Sequence, residues 1–126
     1  MKILITGGKG FVAGRINEYL RSKNFNVTLA SRKKTKITKK IDWNSKNNLN
    51  KISKNVDVII NCAGLDSHRC KNLPHAIKIN SSYPLKLFKA ANENNVKLFI
   101  FISTYHVYKL EKKNINEISK LNKNNI

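Results

Sequence analysis

Apolar residues in this chain fall into short continuous runs and into spaced stripes, and the two patterns alternate along the sequence. Continuous runs predict buried strands, whereas spacing near 3.6 residues predicts amphipathic helices. The predicted strands are residues 2–6, 25–30, 37–41, 56–61 and 96–103. The predicted helices are residues 11–22, a weak one within 44–54, and a long one over 73–94. Pro84 lies inside the last of these and predicts a kink or a break near Tyr83.

This alternation of strands and helices is typical of the α/β class, with a parallel sheet and helices on its faces. The apolar runs also exclude some classes of protein. None approaches the roughly 20 residues that span a bilayer, and the apolar start is too short for a signal peptide. Two cysteines are too few for a disulfide framework. We therefore expect a cytoplasmic protein that does not insert into a membrane.

Charge is the strongest feature of the composition. The 126 residues include 25 Lys and Arg against 7 Asp and Glu, which gives a formal net charge of +18. Such a chain could bind nucleic acid. However, 21 of the basic residues are Lys, scattered along the chain with 19 Asn and 15 Ile. A/T-rich codons encode all three, so compositional drift explains the charge better, and a nucleic-acid-binding module stays the alternative function.

A glycine-rich turn between the first strand and the first helix carries the clearest chemistry. Gly8-x-Gly10-x-x-Ala13 fits the dinucleotide fingerprint G-x-G-x-x-G/A, in the strand–turn–helix context that the fingerprint requires. Gly10 lets a pyrophosphate approach the backbone, and the helix start offers free N–H groups and a positive dipole end. The predicted cofactor site includes Gly7, Gly8, Gly10, Phe11 and Val12.

The end of the second strand bears on which dinucleotide is bound. An Asp or Glu there usually accepts a hydrogen bond from the ribose of NAD, but this chain has Ser31-Arg32-Lys33-Lys34. Arg32 could bind a 2′-phosphate through two hydrogen bonds, and Lys33 would add a point charge. A solvated basic loop is the alternative in a Lys-rich chain. The cofactor is therefore NADP or NAD, with NADP favoured.

Residues 6–12, Thr-Gly-Gly-Lys-Gly-Phe-Val, resemble the opening motif of the extended short-chain dehydrogenases/reductases, the NAD-dependent epimerase/dehydratase family. Residues 102–108, Ile-Ser-Thr-Tyr-His-Val-Tyr, resemble the motif that closes the fifth strand in that family. The resemblance covers nearly the whole chain. It adds further expected cofactor-binding residues between the two motifs, namely Asp42, Trp43, Cys62, Ala63, Gly64 and Asn80.

This resemblance implies a doubly wound parallel sheet, the Rossmann fold, of about five strands in the order 3-2-1-4-5. Residues 1–108 would form the NAD(P)-binding domain, and residues 109–126 a loop or frayed helix leading to the family's catalytic helix. The implied chemistry is hydride transfer through a bound nicotinamide, with a nucleotide-sugar or related small molecule as substrate. Thr104 would hydrogen-bond the reacting oxygen, with Ser103 beside the nicotinamide. The family also makes a homodimer a candidate assembly.

The resemblance stops before the family's catalytic Tyr-x-x-x-Lys. Tyr105 and Lys109 have that spacing, but at a strand end four residues span roughly 13 Å, too far for the Lys to tune the Tyr. No metal site is predicted either, because Cys70, His68 and His75 lack a zinc spacing. We expect the cofactor-binding part of an epimerase, dehydratase or reductase, inactive alone. An inactive truncated product is the other alternative.

Overall fold

The computed structural model of the protein describes residues 1–65, 67–104, 107–109 and 115–122. Its strands are β1 (Lys2–Thr6), β2 (Asn26–Ser31), β3 (Thr38–Lys40), β4 (Val58–Asn61) and β5 (Leu98–Phe101). Its α-helices are α1 (Phe11–Ser22), α2 (Lys46–Ser53), α3 (Leu73–Ile77) and α4 (Tyr83–Glu93). No helix in these ranges is long and apolar enough to cross a bilayer.

The five strands form one parallel sheet in the order β3-β2-β1-β4-β5. This confirms the doubly wound arrangement and the predicted strand order. Residues 3–5 of β1 and 58–60 of β4 are apolar on both faces because helices cover both faces of the sheet. Leu4 and Ile59 pack with Leu87 towards α2 and α4. Ile3 and Ile5, which alternate with Leu4, pack on the opposite face around α1.

Three asparagines explain why several strands begin later than the apolar runs predict. Asn24, Asn55 and Asn95 have φ angles of 60°, 58° and 55°, and each comes directly before the first apolar residue of a predicted strand. Asn tolerates this left-handed conformation, which ends a helix. After Asn95, the N–H of Val96 donates to the carbonyl of Ala91 (3.0 Å). Residues such as Val96 therefore close the preceding helix before the strand starts.

The long helix over 73–94 does not break at Tyr83. A π-helical turn, Lys78–Ser82, joins α3 to α4, and both Ile77 and Tyr83 keep right-handed helical backbone angles. Pro84 has no N–H to donate and its ring crowds the preceding turn. The wider π turn takes up that disruption, so the helical path continues.

Beyond β5, the structure describes the chain only in part. Tyr108 forms an antiparallel bridge with Leu121, and the N–H of Lys109 donates to the carbonyl of Lys120 (2.8 Å). Residues 110–114 and 123–126, which fall within the predicted loop or frayed helix, lie outside the described residues.

Asp57 joins three strands at the amino edge of the sheet. Its carboxylate accepts the N–H of Lys2 at 2.8 Å and the ammonium of Lys97 at 2.9 Å. The hydrogen bond from Lys97 is the main cause that lowers the pKa of Asp57 below the ordinary value of 3.8. The same contact raises the pKa of Lys97.

We expect Asp57→Asn to lower the melting temperature at neutral pH by an amount that shrinks in acid. A carboxyl whose pKa is lower in the folded chain stabilises the fold above its unfolded pKa, and this stabilisation is lost as pH falls through the folded pKa. Thermal unfolding of both proteins between pH 7 and about pH 2 measures the difference. Glu18→Gln is the control, because Glu18 lies in an exposed pair with Arg15 and has no other ion pair among the described residues. An equal difference at every pH would contradict the prediction.

Candidate functional site

The glycine turn after β1 lies directly between the ends of its two neighbouring strands. Gly7 has a φ of +70°, and a Cβ at this position would lie 2.7 Å from the carbonyl oxygen of Cys62, just past β4. The N–H of Gly8 donates to the carbonyl of Ala30 (2.9 Å), and a Cβ on Gly8 would lie 2.9 Å from that of Leu29 in β2. Any larger residue would therefore clash, at Gly7 with the backbone of Cys62 and at Gly8 with the side chain of Leu29.

The third glycine opens the start of α1. Gly10 is the N-cap residue in extended conformation and makes no side-chain cap. A Cβ on Gly10 would meet only the carbonyl oxygen of Gly7, at 3.1 Å. The first helical hydrogen bond runs from Gly14 N–H to Gly10 (3.0 Å), so the amides of residues 11–13 have no partner inside the helix. The first turn of α1 contains no acidic residue, so no carboxylate of this turn neutralises the positive end of the helix dipole.

Side chains in the first turn of α1 divide by burial. Ala13 is fully buried against the sheet, where its small size allows close packing of helix on strand. Phe11 and Val12 are 78% and 46% exposed. Because both side chains are apolar, a phosphate could form hydrogen bonds only with the backbone amides of these two residues.

A buried polar network joins the ends of β1 and β4, the neighbouring strands at which the strand order changes direction. The hydroxyl of Thr6 donates to Asn61 Oδ1 at 2.6 Å, and both side chains are at most 1% exposed. Asn61 Nδ2 donates to the carbonyl of Ala63 (3.3 Å), and Ala63 N–H donates to the Thr6 hydroxyl (3.4 Å). Neither Thr6 nor Asn61 is among the predicted site residues, although Thr6 begins the glycine motif. A polar residue ending each of two apolar strands is the pattern that could have identified them.

The segment after β4 is held by Asn80. Asn80 Oδ1 accepts the N–H of Leu65 at 2.8 Å, and its Nδ2 donates to the carbonyl of Leu65 at 3.0 Å. The predicted cofactor contact at Asn80 is thus a side chain whose amide already binds the backbone of this segment. Burial raises the pKa of the Cys62 thiol, so Cys62 stays neutral at neutral pH. Ala63 and exposed Gly64 complete the segment.

Asp42 and Trp43, after β3, have different surroundings. Asp42 is half-buried, its Oδ1 accepts the N–H of Asn44 at 3.0 Å, and its own N–H donates to Asn48 Oδ1 at 2.7 Å. Trp43 is 7% exposed and belongs to the core. Its ring stacks on Tyr83 with centroids 5.3 Å apart. The indole therefore packs inside the protein, and the carbonyl of Trp43 accepts the ammonium of Lys86 at 3.5 Å.

The remaining predicted residues follow β2 and β5 at the same edge of the sheet. Arg32 and Lys33 are exposed, and neither forms an ion pair within the described ranges. Ser103 and Thr104 are exposed beyond β5, where the N–H of Ile102 donates to the carbonyl of Asn61 (3.1 Å). Tyr105 and His106 lie outside the described residues. That Lys109 is too far from Tyr105 to tune it therefore stays a prediction.

The carboxyl edge of the sheet therefore brings together the predicted residues after β1, β2, β4 and β5. Among the described residues, no three His, Cys, Asp or Glu side chains form a group that could hold a metal. What the edge offers is backbone N–H groups at a helix start, two exposed cations and strand-end hydroxyls. These groups are suited to a phosphate-bearing ligand with polar ends.

Comparison with known proteins agrees with this geometry. The model of the NAD dependent epimerase/dehydratase family matches residues 3–125. No curated protein sequence matches the chain. Among solved structures, MoeE5 in complex with UDP-glucose and NAD is similar, with 22% identity and a TM-score of 0.85. That similarity covers 97% of this chain and 42% of MoeE5.

Two 4-epimerases have similar folds. UDP-N-acetylglucosamine 4-epimerase from Bacillus cereus is 21% identical with a TM-score of 0.84, over 96% of this chain and 47% of the enzyme. UDP-glucose 4-epimerase from Bifidobacterium longum, in complex with NAD+ and UDP, is 23% identical with a TM-score of 0.82, over 98% of this chain and 43% of the enzyme. The chain thus spans less than half the length of each of these proteins.

The contacts at Gly7 predict opposite effects of alanine at two positions near the site. Gly7→Ala should lower the free energy of unfolding by about 3 kcal/mol, because it combines a positive φ with a backbone clash. Gly14→Ala should raise it by about 0.5–1 kcal/mol, since no atom lies within 4 Å of the added Cβ. Denaturant unfolding followed by circular dichroism measures both. A Gly7→Ala chain as stable as the parent would contradict the close approach of β1 to Cys62.

Proposed function

Because this chain belongs to the NAD-dependent epimerase/dehydratase family, we propose that it binds NAD or NADP at the carboxyl edge of its sheet. The glycine turn is the observation that carries the proposal. Gly7 and Gly8 are pressed against β4 and β2, while Gly10 leaves the start of α1 accessible. A side chain at Gly10 would occupy the space where a phosphate approaches the helix.

Each part of the dinucleotide has candidate residues at this edge. The pyrophosphate would bind the amides of Phe11 and Val12 at the positive end of α1. Arg32 and Lys33 would meet a 2′-phosphate. The adenine would lie near Asp42 and the backbone of Trp43, the segment Cys62–Gly64 would line the centre of the cofactor, and Ser103 would lie at the nicotinamide end. Asn80 would act by holding the segment after β4 in place.

The reaction we propose for the whole enzyme is hydride transfer on a nucleotide-sugar or related small molecule. When bound, the nicotinamide would supply the hydride chemistry, and the Thr104 hydroxyl would hydrogen-bond the reacting oxygen. MoeE5 with UDP-glucose and NAD supports this substrate class. Within residues 1–126 we assign the cofactor-binding residues and the hydrogen-bonding role of Thr104. We assign no Tyr-x-x-x-Lys acid–base pair there, so we expect no turnover by this chain alone. The cytoplasmic location and the homodimer stay predictions.

Fluorescence titration with NADPH and NADH tests the proposal. We expect saturable binding, tighter for NADPH, because no carboxylate follows β2 and Arg32 is available. A folded chain, judged by circular dichroism, that binds neither nucleotide would overturn the proposal. If the chain instead binds RNA or DNA tightly with a steep salt dependence, the nucleic-acid alternative replaces it.

Arg32→Glu tests which dinucleotide is preferred. Loss of a charge-assisted hydrogen bond should weaken NADPH binding by about ten- to a hundredfold and leave NADH binding unchanged. Lys36→Glu is the matched control, since Lys36 is an exposed cation of the same connection and its charge change should have a smaller effect. Equal weakening of both nucleotides by Arg32→Glu would refute the assignment of the 2′-phosphate to Arg32.

A further inference from the structure

The connection that carries Arg32 and Lys33 is short for the strands that it joins. Residues 32–37 link β2 to β3, which are parallel, whereas parallel strands usually need about a dozen residues or more between them. Thr38 lies beside Leu29 in the register. The chain therefore has to fold back along the end of β2 within this connection, and local contacts must hold it there.

Three hydroxyl groups close the connection from inside. Thr35 Oγ1 lies 2.8 Å from Thr38 Oγ1, which lies 2.9 Å from Ser31 Oγ. Ser31 Oγ donates to the carbonyl of Lys33, and the N–H of Thr38 donates to Thr35 Oγ1 at 3.0 Å. Thr38 Oγ1 also lies within donating distance of the Lys33 carbonyl, at 3.2 Å, so the hydroxyls of Ser31 and Thr38 converge on that one acceptor. We name these three side chains the hydroxyl chain.

Burial makes the hydroxyl chain a strong local constraint. Ser31 and Thr38 are 7% and 4% exposed, and buried hydrogen bonds that polarise one another are costly to break. Arg32 and Lys33 are exposed on the same connection. A buried hydrogen-bonded interior therefore holds the backbone from which Arg32, Lys33 and two further exposed cations, Lys34 and Lys36, extend.

The connection also begins beside the glycine turn. Gly8 N–H donates to the carbonyl of Ala30, and Ser31 is the next residue along β2. The two cations therefore start close to the place where the pyrophosphate is proposed to bind. A phosphate on the adenosine ribose would be the next anionic group of the same ligand.

We propose that the hydroxyl chain selects the dinucleotide by holding Arg32 and Lys33 ready for the 2′-phosphate of NADP, with Thr38 as the central positioning residue. This inference rests on the proposed function. A guanidinium binds phosphate through two hydrogen bonds only in a restricted geometry, and a connection ordered in advance avoids the entropy loss of ordering it on binding. NADH lacks this phosphate, so its affinity does not depend on the hydroxyl chain.

Thr38→Val, which removes the hydroxyl and keeps the side-chain shape, is the direct test. We expect its dissociation constant for NADPH to rise about tenfold while that for NADH stays within about twofold. Thr38→Ser should restore NADPH binding, because it restores the hydroxyl. Thr28→Val is the matched control, since Thr28 lies in β2 outside the hydroxyl chain and should change neither constant.

A second measurement needs no nucleotide. Amide hydrogen exchange at residues 33–38 should be faster in Thr38→Val than in the parent chain, with the rest of the sheet unchanged. If Thr38→Val does not fold, Ser31→Ala removes one of the two hydroxyls that reach the Lys33 carbonyl and should give the same two results.

The outcomes separate this inference from the proposed function. Unchanged exchange, or equal weakening of NADPH and NADH, would overturn the role of the hydroxyl chain while nucleotide binding by the parent chain supports the proposed function. Failure of the parent chain to bind either nucleotide would overturn the proposed function and this inference together.

Discussion

The contact of the glycine turn with both neighbouring strands is the constraint on which the rest of this structure depends. A Cβ atom on Gly7 would lie within 3 Å of Cys62, and one on Gly8 within 3 Å of Leu29. The chain can leave β1 along this path only because neither residue has a side chain. The buried hydrogen bond between Thr6 and Asn61 then fixes β1 against β4. Because α1 starts from this turn, its N-terminus has a defined place at the strand ends.

Local patterns were sufficient for most of the fold. Apolar periodicity located all five strands and α1, and the family resemblance supplied the strand order. The boundaries between helices and strands were harder to predict. Asn95 has a left-handed conformation, so the apolar residue Val96 closes α4 and does not begin β5. The site was predictable where one short motif holds it. Contacts such as that from Thr6 to Asn61, 55 positions apart, leave no periodic pattern.

Charge acquires a narrower meaning in the folded chain. The net charge of +18 comes mostly from lysines spread over the whole sequence, and a solvated lysine far from a ligand adds little to its binding. Arg32 and Lys33 directly follow β2, and the hydroxyl chain ties their backbone in place through the Lys33 carbonyl. Under the proposed function, the position of these two cations, more than the number of charges, decides which ligand this basic chain recognises.

The flank of β5 gives the two ends of the site unequal mechanical support. Among the described strands, β5 pairs only with β4, and Leu98 and Phe101, from opposite faces of the sheet, are 51% and 47% exposed. Local opening is easiest where few apolar contacts must be broken. Ser103 and Thr104 follow this loosely anchored strand, whereas the glycine turn follows the strand at the centre of the sheet. The region that would hold phosphate therefore follows a strand paired on both sides, whereas the region that would hold the reacting groups follows a strand with one described neighbour.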